Sequence, residues 1–214
     1  MTLGQRFARF VTVIVVRMPG TWRLFRGRLT RAFDGLASQW DGLTASPSRL
    51  EVLTATLDAL PAAPRRVLDL GTGTGSAARL AVSRWPDAQV TGVDVSSGMI
   101  EQARRSAAGG ETYDIADASA LPFPDGAFDL VTMNNMIPFF DELARVTAPG
   151  GHVAIAYSRG PQTPIWVPLE RLRRELSRRD FSHFADFSAG EGRSLLARKA
   201  DRSYPSGTGT FATR

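Results

Sequence analysis

The spacing of apolar residues divides this 214-residue chain into two parts with different patterns. Up to residue 60, apolar residues recur at intervals of three and four, which predicts amphipathic helices. We place these helices at 1–18, at 21–43 (one helix or two) and at 50–60, with breaks at Pro19-Gly20 and at Pro61. From Arg66 onward, short apolar runs alternate with helical segments of about ten residues, and this alternation predicts βαβ units.

The second part of the chain predicts a parallel sheet, because its strands are continuous apolar runs of the kind that helices cover on both faces. Two last strands, joined through residues 189–192, have the spacing of an antiparallel hairpin. The expected fold class is α/β: a Rossmann-like, seven-stranded, mostly parallel sheet with helices on both faces, an antiparallel strand at the C-terminal edge and an N-terminal helical cap. The seven predicted strands are 67–70, 89–95, 112–115, 128–133, 153–157, 184–187 and 194–198. The helices between them are predicted at 76–85, 97–108, 139–147 and 167–179, the third ending at Pro149-Gly150-Gly151.

This pattern also suggests where the chain divides. Residues 1–45 form a basic, apolar helical arm and cap, and residues 46–200 form the ligand-binding domain. Residues 201–214 are polar and rich in glycine, serine and threonine, which predicts a disordered tail.

The formal charge of +5 is concentrated in the arm. Residues 1–33 hold seven arginines and no acid, so the remaining 19 basic and 21 acidic residues give −2. Two interpretations stay open: a solvated helix face, or contact with an anionic surface such as a membrane or an acidic substrate. Nucleic acid is disfavoured because no nucleic-acid-binding motif accompanies the arginines. The arginines are Arg6, Arg9, Arg17, Arg23, Arg26, Arg28 and Arg31.

The apolar run 10–16 is too short to cross a membrane, since a span needs about 20 residues. Arg17-Met18-Pro19 follows it where a signal peptide would have a small-residue cleavage site. A buried or interfacial helix remains, and we expect a cytoplasmic protein that touches the membrane peripherally. The chain has no cysteine and two histidines, so no metal site is expected and chemistry carried by a bound cofactor is favoured.

A glycine loop at 71–75 follows the first predicted strand and precedes a helix, as in many nucleotide sites. Two details narrow the ligand. Ser76 stands where a dinucleotide fingerprint of the form GxGxxG has its third glycine. Asp69, just before the loop, would repel a pyrophosphate but attract a cationic amino-acid tail. The loop therefore favours S-adenosylmethionine, which carries a sulfonium and an ammonium, over a dinucleotide.

The segment 67–75 (VLDLGTGTG) resembles the first motif of class I S-adenosylmethionine-dependent methyltransferases, of the small-molecule type. Segments 91–99, 114–123, 128–131 and 143–151 are similar to the four motifs that follow in that family. The resemblance covers about residues 33–200, and five motifs in order make it specific. It implies S-adenosylmethionine as the cofactor.

The resemblance also implies roles for individual residues. The loop residues Gly71, Thr72, Gly73 and Gly75 would receive the methionine portion, with Asp69 as a direct or water-mediated partner of its ammonium. Asp94 would accept from both ribose hydroxyls. Around the adenine ring, Val95 and Met99 would pack beside it, Asp117 would accept from N6, and the Ala118 N–H would donate to a ring nitrogen. Asn134 would lie near the transferring methyl. Trp40 would either cover the cofactor or belong to the core.

These residues together predict methyl transfer to a small-molecule or lipid-like acceptor by in-line displacement, which depends mainly on proximity and orientation. No residue stands out as a general base: Asp41 is one possibility, and neither His183 nor Tyr157 is a convincing one. His152 reads as structural. Two alternatives remain, a methyltransferase-like protein that binds the cofactor without catalysis, and an NAD-dependent oxidoreductase.

Overall fold

The computed structural model describes residues 2–44 and 47–201. The predicted tail therefore lies outside the described residues except for Asp201, and so does the predicted boundary between cap and domain at residues 45–46. None of the described helices is long and apolar enough to cross a membrane.

Amphipathic helices form the N-terminal part, as the apolar spacing predicted. They are α1 (Leu3–Arg17), α2 (Trp22–Leu36), α3 (Trp40–Thr44) and α4 (Glu51–Asp58). Thr2 caps α1 with a capping box, in which Thr2 and Gln5 each accept a hydrogen bond from the other's backbone N–H. The side chain of Arg9 donates to the carbonyls of Pro161 and Thr163, so α1 is fixed to a segment more than 150 residues away.

The remainder builds a seven-stranded sheet within the described residues, with strand order β3-β2-β1-β4-β5-β7-β6. The strands are β1 (Arg66–Leu70), β2 (Gln89–Asp94), β3 (Glu111–Ile115), β4 (Phe128–Asn134), β5 (Thr147–Tyr157), β6 (Phe181–Ala189) and β7 (Gly192–Lys199). The helices among them are α5 (Ser76–Arg84), α6 (Ser97–Arg105), α7 (Phe140–Val146) and α8 (Leu169–Ser177). Strands β1 to β5 are parallel, and β7 pairs antiparallel with both β5 and the edge strand β6. The predicted fold class is confirmed.

Two hydrophobic clusters cover the two faces of the sheet. Helices α4, α5 and α6 pack on one face, where Leu53, Ala78 and Ile100 are buried. On the other face α1, α7 and α8 pack together with Trp22 at the start of α2. The apolar arm is therefore part of the main core, with Val11 and Val15 fully buried.

The order of the strands determines where a ligand can bind. The chain moves outward from β1 to β2 and β3, then returns to place β4 on the other side of β1. Such a reversal leaves a crevice at the carboxyl ends of the strands, where open α/β sheets bind their ligands. The glycine loop follows β1 at this point.

Several predicted boundaries were wrong: β6 spans Phe181–Ala189 and not 184–187, and α6 ends at Arg105 and not at residue 108. Two further differences have a clear physical reason. Strand β5 starts at Thr147 and not at Val153, because Pro149-Gly150-Gly151 forms an irregularity within the strand: the register against β4 shifts between Phe128 and Leu130. The helix predicted at 167–179 is α8, which spans Leu169–Ser177 with Pro168 at its N-cap. A residue before proline avoids helical geometry, so the helix cannot begin at Val167.

Candidate functional site

The glycine loop brings backbone close to its surroundings. The N–H groups of Gly71 and Thr72 both donate to the carbonyl of Val93, which ties the loop to β2. Gly71 has φ +72°, and a Cβ there would collide with the side chain of Met136. Glycine adopts this positive φ without strain, and its lack of a side chain leaves room for Met136. Gly73 and Gly75 also have positive φ, and Ser76 begins α5 directly after them.

Asp69 lies beneath this loop with 1% of its surface exposed. One carboxylate oxygen accepts from Thr72 Oγ1 at 2.6 Å and the other from Thr132 Oγ1 at 3.0 Å. Burial raises the pKa of Asp69 to about 6, against the opposing effect of these hydrogen bonds. Thr72, one of the predicted loop residues, is therefore held by the buried carboxylate that precedes it.

Asp94 ends β2 beside the loop. Its carboxylate accepts from the Gly73 N–H at 3.0 Å and from the Ser96 N–H at 2.9 Å. Burial raises the pKa of Asp94 above its usual range, although these N–H groups favour the charged form. Ser96 caps α6 through the Met99 N–H, so Asp94 is not needed as the helix cap. Each carboxylate oxygen can accept more than one hydrogen bond, so Asp94 can still accept from a ligand beside the loop.

The other residues predicted after β2 and β3 lie at the same edge. Val95 is half-buried, and Met99 is 2% exposed inside α6. Ala118 is buried, and its backbone N–H makes no hydrogen bond within the part of the chain that the structure describes. That N–H is a free donor next to Asp117.

Asp117 is already bound by the cap. Its Oδ1 accepts from Trp22 Nε1 at 2.9 Å and from Ser119, and its Oδ2 accepts from Arg26 at 2.7 Å. Burial alone would raise the pKa of Asp117, but the hydrogen bonds from Arg26, Ser119 and Trp22 outweigh it and hold the pKa below its usual range. The carboxylate is thus kept ionised, as an acceptor from a ligand amino group requires.

The cap contacts the two other loops as well. Asp34 accepts from Ser96 Oγ at 2.6 Å and from the Gly98 N–H at 3.0 Å, at the start of α6. Asp41 accepts from the hydroxyl of Thr74 in the glycine loop. Residues 22–41 therefore reach the loops after β1, β2 and β3, and they cover the carboxyl edge of the sheet.

Trp40 belongs to this cover. Its Nε1 lies 3.7 Å from the position that a Cβ on Gly73 would take. The ring packs edge-on against Phe33 at 5.7 Å, and the guanidinium of Arg49 lies over it at 5.5 Å. The structure thus places Trp40 both on the loop and in a packed cluster.

Two polar groups stand at the carboxyl ends of β4 and β5. Asn134 Oδ1 is buried and has no hydrogen-bond partner in the described chain, so it is an acceptor without a donor. Tyr157 is fully buried against Trp166, with ring centroids 5.1 Å apart. Burial raises the pKa of this phenol far above its usual range, so Tyr157 cannot act as a base near neutral pH.

Both histidines lie at the opposite end of the sheet. His152 pairs with Arg198 across β5 and β7, and His183 sits beside the pair Ser182–Arg198. Neither reaches the glycine loop. An open depression of about 640 Å³ also lies at that end, but its Asp129 is already engaged by the backbone of Arg65 and Arg66 and by the Arg66 side chain. No cluster of three or more metal-binding side chains occurs among the described residues.

The geometry can be compared with known proteins. The model of the methyltransferase domain family matches residues 67–151, which include the glycine loop and Asp94. A malonyl-[acyl-carrier protein] O-methyltransferase of Geobacter sulfurreducens is 33% identical over 193 residues, which cover 83% of this chain and 71% of the relative. The chain belongs to the class I S-adenosylmethionine-dependent methyltransferases.

Other methyltransferases match over shorter stretches. A demethylmenaquinone methyltransferase of Clavibacter sepedonicus is 37% identical over 65% of this chain and 61% of the relative. The chain spans only about half to three fifths of the length of this and two further curated relatives. The fold matches a solved putative methyltransferase of Haloferax volcanii, in complex with its Trm112 activator, with a TM-score of 0.65 at 19% identity, over 78% of this chain and 97% of that one.

The residues that motif reasoning missed belong to the cap or to the loop after β4. Trp22, Arg26 and Asp34 contact motif residues that follow them by 62 to 95 positions. Met136 approaches Gly71 from the loop after β4. The apolar spacing predicted amphipathic helices within residues 21–43, but it could not show which surface Trp22 covers.

Proposed function

We propose that this methyltransferase transfers a methyl group from S-adenosylmethionine to a small-molecule or lipid-like acceptor. The observation that carries the proposal is the convergence of three aspartates at the carboxyl ends of adjacent parallel strands. Asp69 lies beneath the glycine loop, and Asp94 and Asp117 follow the next two strands. A cationic nucleoside suits this acidic edge, whereas a pyrophosphate does not.

Each group at the edge matches one part of the cofactor. We assign Asp94 to the ribose hydroxyls, and Asp117 with the Ala118 N–H to the adenine edge. The unpartnered Asn134 Oδ1 would accept from the ammonium, because a buried acceptor gains stability when a donor reaches it. Asp69 would act through its charge and through the loop that it holds, since both of its oxygens accept from threonines.

The cofactor supplies an activated methyl group on a sulfonium. The chain's own contribution is to hold the reacting atoms in line, and positioning of this kind can lower a barrier by about 7–11 kcal/mol. The cap formed by residues 22–41 would exclude water from the edge. We propose an acceptor that carries its own nucleophile, such as a carboxylate or an acidic carbon, because both histidines lie at the far end of the sheet and the Tyr157 phenol stays protonated.

The activities named for the relatives support a small acceptor group, since they specify malonyl-[acyl-carrier protein] and demethylmenaquinone. We further propose that residues 1–45 act as cap and arm and residues 46–200 as the cofactor-binding domain. On this proposal the protein is cytoplasmic, with residues 1–33 touching a membrane surface.

The test is calorimetric titration of S-adenosylmethionine and S-adenosylhomocysteine into the purified chain, with NAD as the comparison ligand. Both sulfur ligands should bind. Asp94→Asn should weaken that binding about 10- to 100-fold, because a hydrogen bond to a charged group contributes about 1.5–3 kcal/mol. Asp87→Asn, an exposed carboxylate at the other end of the sheet, is the matched control and should bind like the parent.

Two results would contradict the proposal. Folded protein that binds neither sulfur ligand would remove it, and saturable binding of NAD would favour an oxidoreductase. Cofactor binding without methyl transfer to carboxylate, phenol and acidic-carbon acceptors would indicate a protein that binds the cofactor without catalysing methyl transfer.

A further inference from the structure

Helix α1 has one face buried in the core and one face open to solvent. The buried face carries Val11, Thr12, Val15 and Val16. The open face carries Leu3, Arg6, Phe10, Val13 and Arg17, which we call the arm stripe. Its residues follow one another at intervals of three and four, so they lie within an arc of about 80° on the helix.

The arm stripe is apolar where solvent exposure would favour polar residues. Leu3 is 84% exposed, Phe10 56% and Val13 41%. Met18, at the C-cap of α1, and Leu24, in α2, are also exposed apolar residues, at 57% and 78%. An exposed apolar patch of this kind marks a surface that contacts a partner.

The charged residues among the first 33 positions all have one sign. Arg6 and Arg17 lie within the arm stripe and no acid occurs in residues 1–33. Within the described residues, Arg6, Arg17, Arg23 and Arg31 have no ion-pair partner, unlike Arg26, which binds Asp117. The surface therefore fits a partner that is both anionic and able to take up apolar side chains.

We propose that the arm stripe docks on an anionic lipid bilayer, with α1 lying flat in the interface. A helix of 15 residues is about 22 Å long, and its apolar side chains would enter the acyl boundary while its arginines meet lipid phosphates. An acidic protein would satisfy the arginines, but it would leave Leu3, Phe10 and Val13 without a comparable apolar environment.

The position of α1 gives the docking a direction. Arg9 fixes α1 to the carbonyls of Pro161 and Thr163, just beyond the carboxyl end of β5. Arg171 donates to the carbonyl of Val16 and fixes the other end of the helix to α8. A docked arm would hold the carboxyl edge of the sheet near the bilayer and its lipid-like acceptors. This benefit rests on the proposed methyl transfer, and the docking assigns the membrane contact proposed for residues 1–33 to one face of α1.

The test is flotation of the full chain with vesicles of phosphatidylcholine, with and without phosphatidylglycerol. We expect binding to the anionic vesicles alone, and weaker binding as salt increases. The double variant Arg6→Gln/Arg17→Gln should bind about 25-fold more weakly, since each arginine near an anionic surface contributes about fivefold. Arg105→Gln/Arg178→Gln removes the same charge from exposed positions on α6 and at the end of α8, and it should bind like the parent.

The apolar part of the arm stripe is tested separately. Phe10→Ser should weaken binding to anionic vesicles, whereas Ile115→Ser, an equally exposed residue on β3, should not. The proposal fails if the chain does not float with anionic vesicles, or if the control pair loses as much binding as Arg6→Gln/Arg17→Gln. Binding to poly-glutamate but not to vesicles would point instead to an acidic protein partner. Calorimetry with S-adenosylhomocysteine on the same samples separates failure of the docking from failure of the cofactor site.

Discussion

Asp69 places an ionisable carboxylate where only 1% of its surface meets solvent. Its pKa of about 6 in the folded chain exceeds the ordinary value of 3.8, so the folded state keeps a proton that the unfolded chain has lost. The stability that this group contributes is therefore fully present below about pH 3.8 and is lost as the pH rises through about 6. Near neutral pH the charged form is held at a cost to stability.

Asp69→Asn should therefore raise the free energy of unfolding at pH 8 by about 1–3 kcal/mol relative to the parent, and by less at pH 5. It should also weaken S-adenosylmethionine binding, because the negative charge under the loop is gone. Urea unfolding at the two pH values measures the first effect and calorimetry the second. Asp87→Asn serves as the exposed control, and an equal gain at both pH values would show that the Asp69 pKa is not raised.

The individual acids of the site could be predicted from the sequence because each lies inside a short contiguous motif. Asp69, Asp94 and Asp117 all reach the carboxyl edge as expected. The donors that hold Asp117 could not be predicted, because Trp22 and Arg26 lie more than 90 residues earlier and no local pattern links them to it. Hydrophobic periodicity indicates which side of a helix is buried, and the tertiary fold decides what it meets.

At the scale of elements, the βαβ pattern could be predicted because the spacing of apolar residues within each strand and helix can be read from neighbouring positions. The predicted element boundaries were wrong where the backbone departs from regular strand or helix geometry. The Pro149-Gly150-Gly151 segment looked like a loop, yet the sheet continues through it with a shift in register. The hairpin of β6 and β7 was predicted, and the fold shows β7 as the inner, antiparallel partner of β5.

Replacing glycine by alanine should have opposite effects on the free energy of unfolding in strand β2 and in helix α2. A Cβ on Gly92 in β2 would lie 2.7 Å from both Thr72 Oγ1 and the Tyr113 ring, so Gly92→Ala should destabilise the chain by about 1–3 kcal/mol. Gly27 lies inside α2 with open space around it, so Gly27→Ala should stabilise by about 0.5–1 kcal/mol. Urea unfolding of both variants provides the comparison. A neutral Gly92→Ala would mean that Thr72 and Tyr113 can move apart without cost.

At the scale of the whole molecule, the cap and the sheet together enclose the carboxyl edge that we propose as the cofactor site. Contacts from Trp22, Arg26, Asp34 and Asp41 join residues 22–41 to three loops of the domain. The cap should therefore affect how the cofactor is recognised as well as how the edge is covered.

Arg26→Gln should weaken S-adenosylhomocysteine binding about three- to tenfold, because Asp117 loses the cation that orients its carboxylate. It should also reduce the ratio between the affinity for S-adenosylhomocysteine and the affinity for its hypoxanthine analogue, which lacks the amino group. A general loss of fold stability would lower both affinities and leave this ratio unchanged. Arg23→Gln, one turn earlier and without an ion-pair partner among the described residues, is the control. Tighter binding by Arg26→Gln would mean that Arg26 competes with adenine for Asp117.

The distance in sequence between α1 and its docking site also has a consequence for synthesis. Arg9 finds its acceptors at Pro161 and Thr163, 152 and 154 residues later. At about 5–20 residues per second, a ribosome needs roughly 8–30 s to make that stretch. The cluster that buries Val11 and Val15 also includes residues made after Pro161, among them Val167 and Leu172, so it is incomplete until that stretch is made. If α1 docks on a bilayer as proposed, it would meet the membrane during synthesis before it meets Pro161 and Thr163.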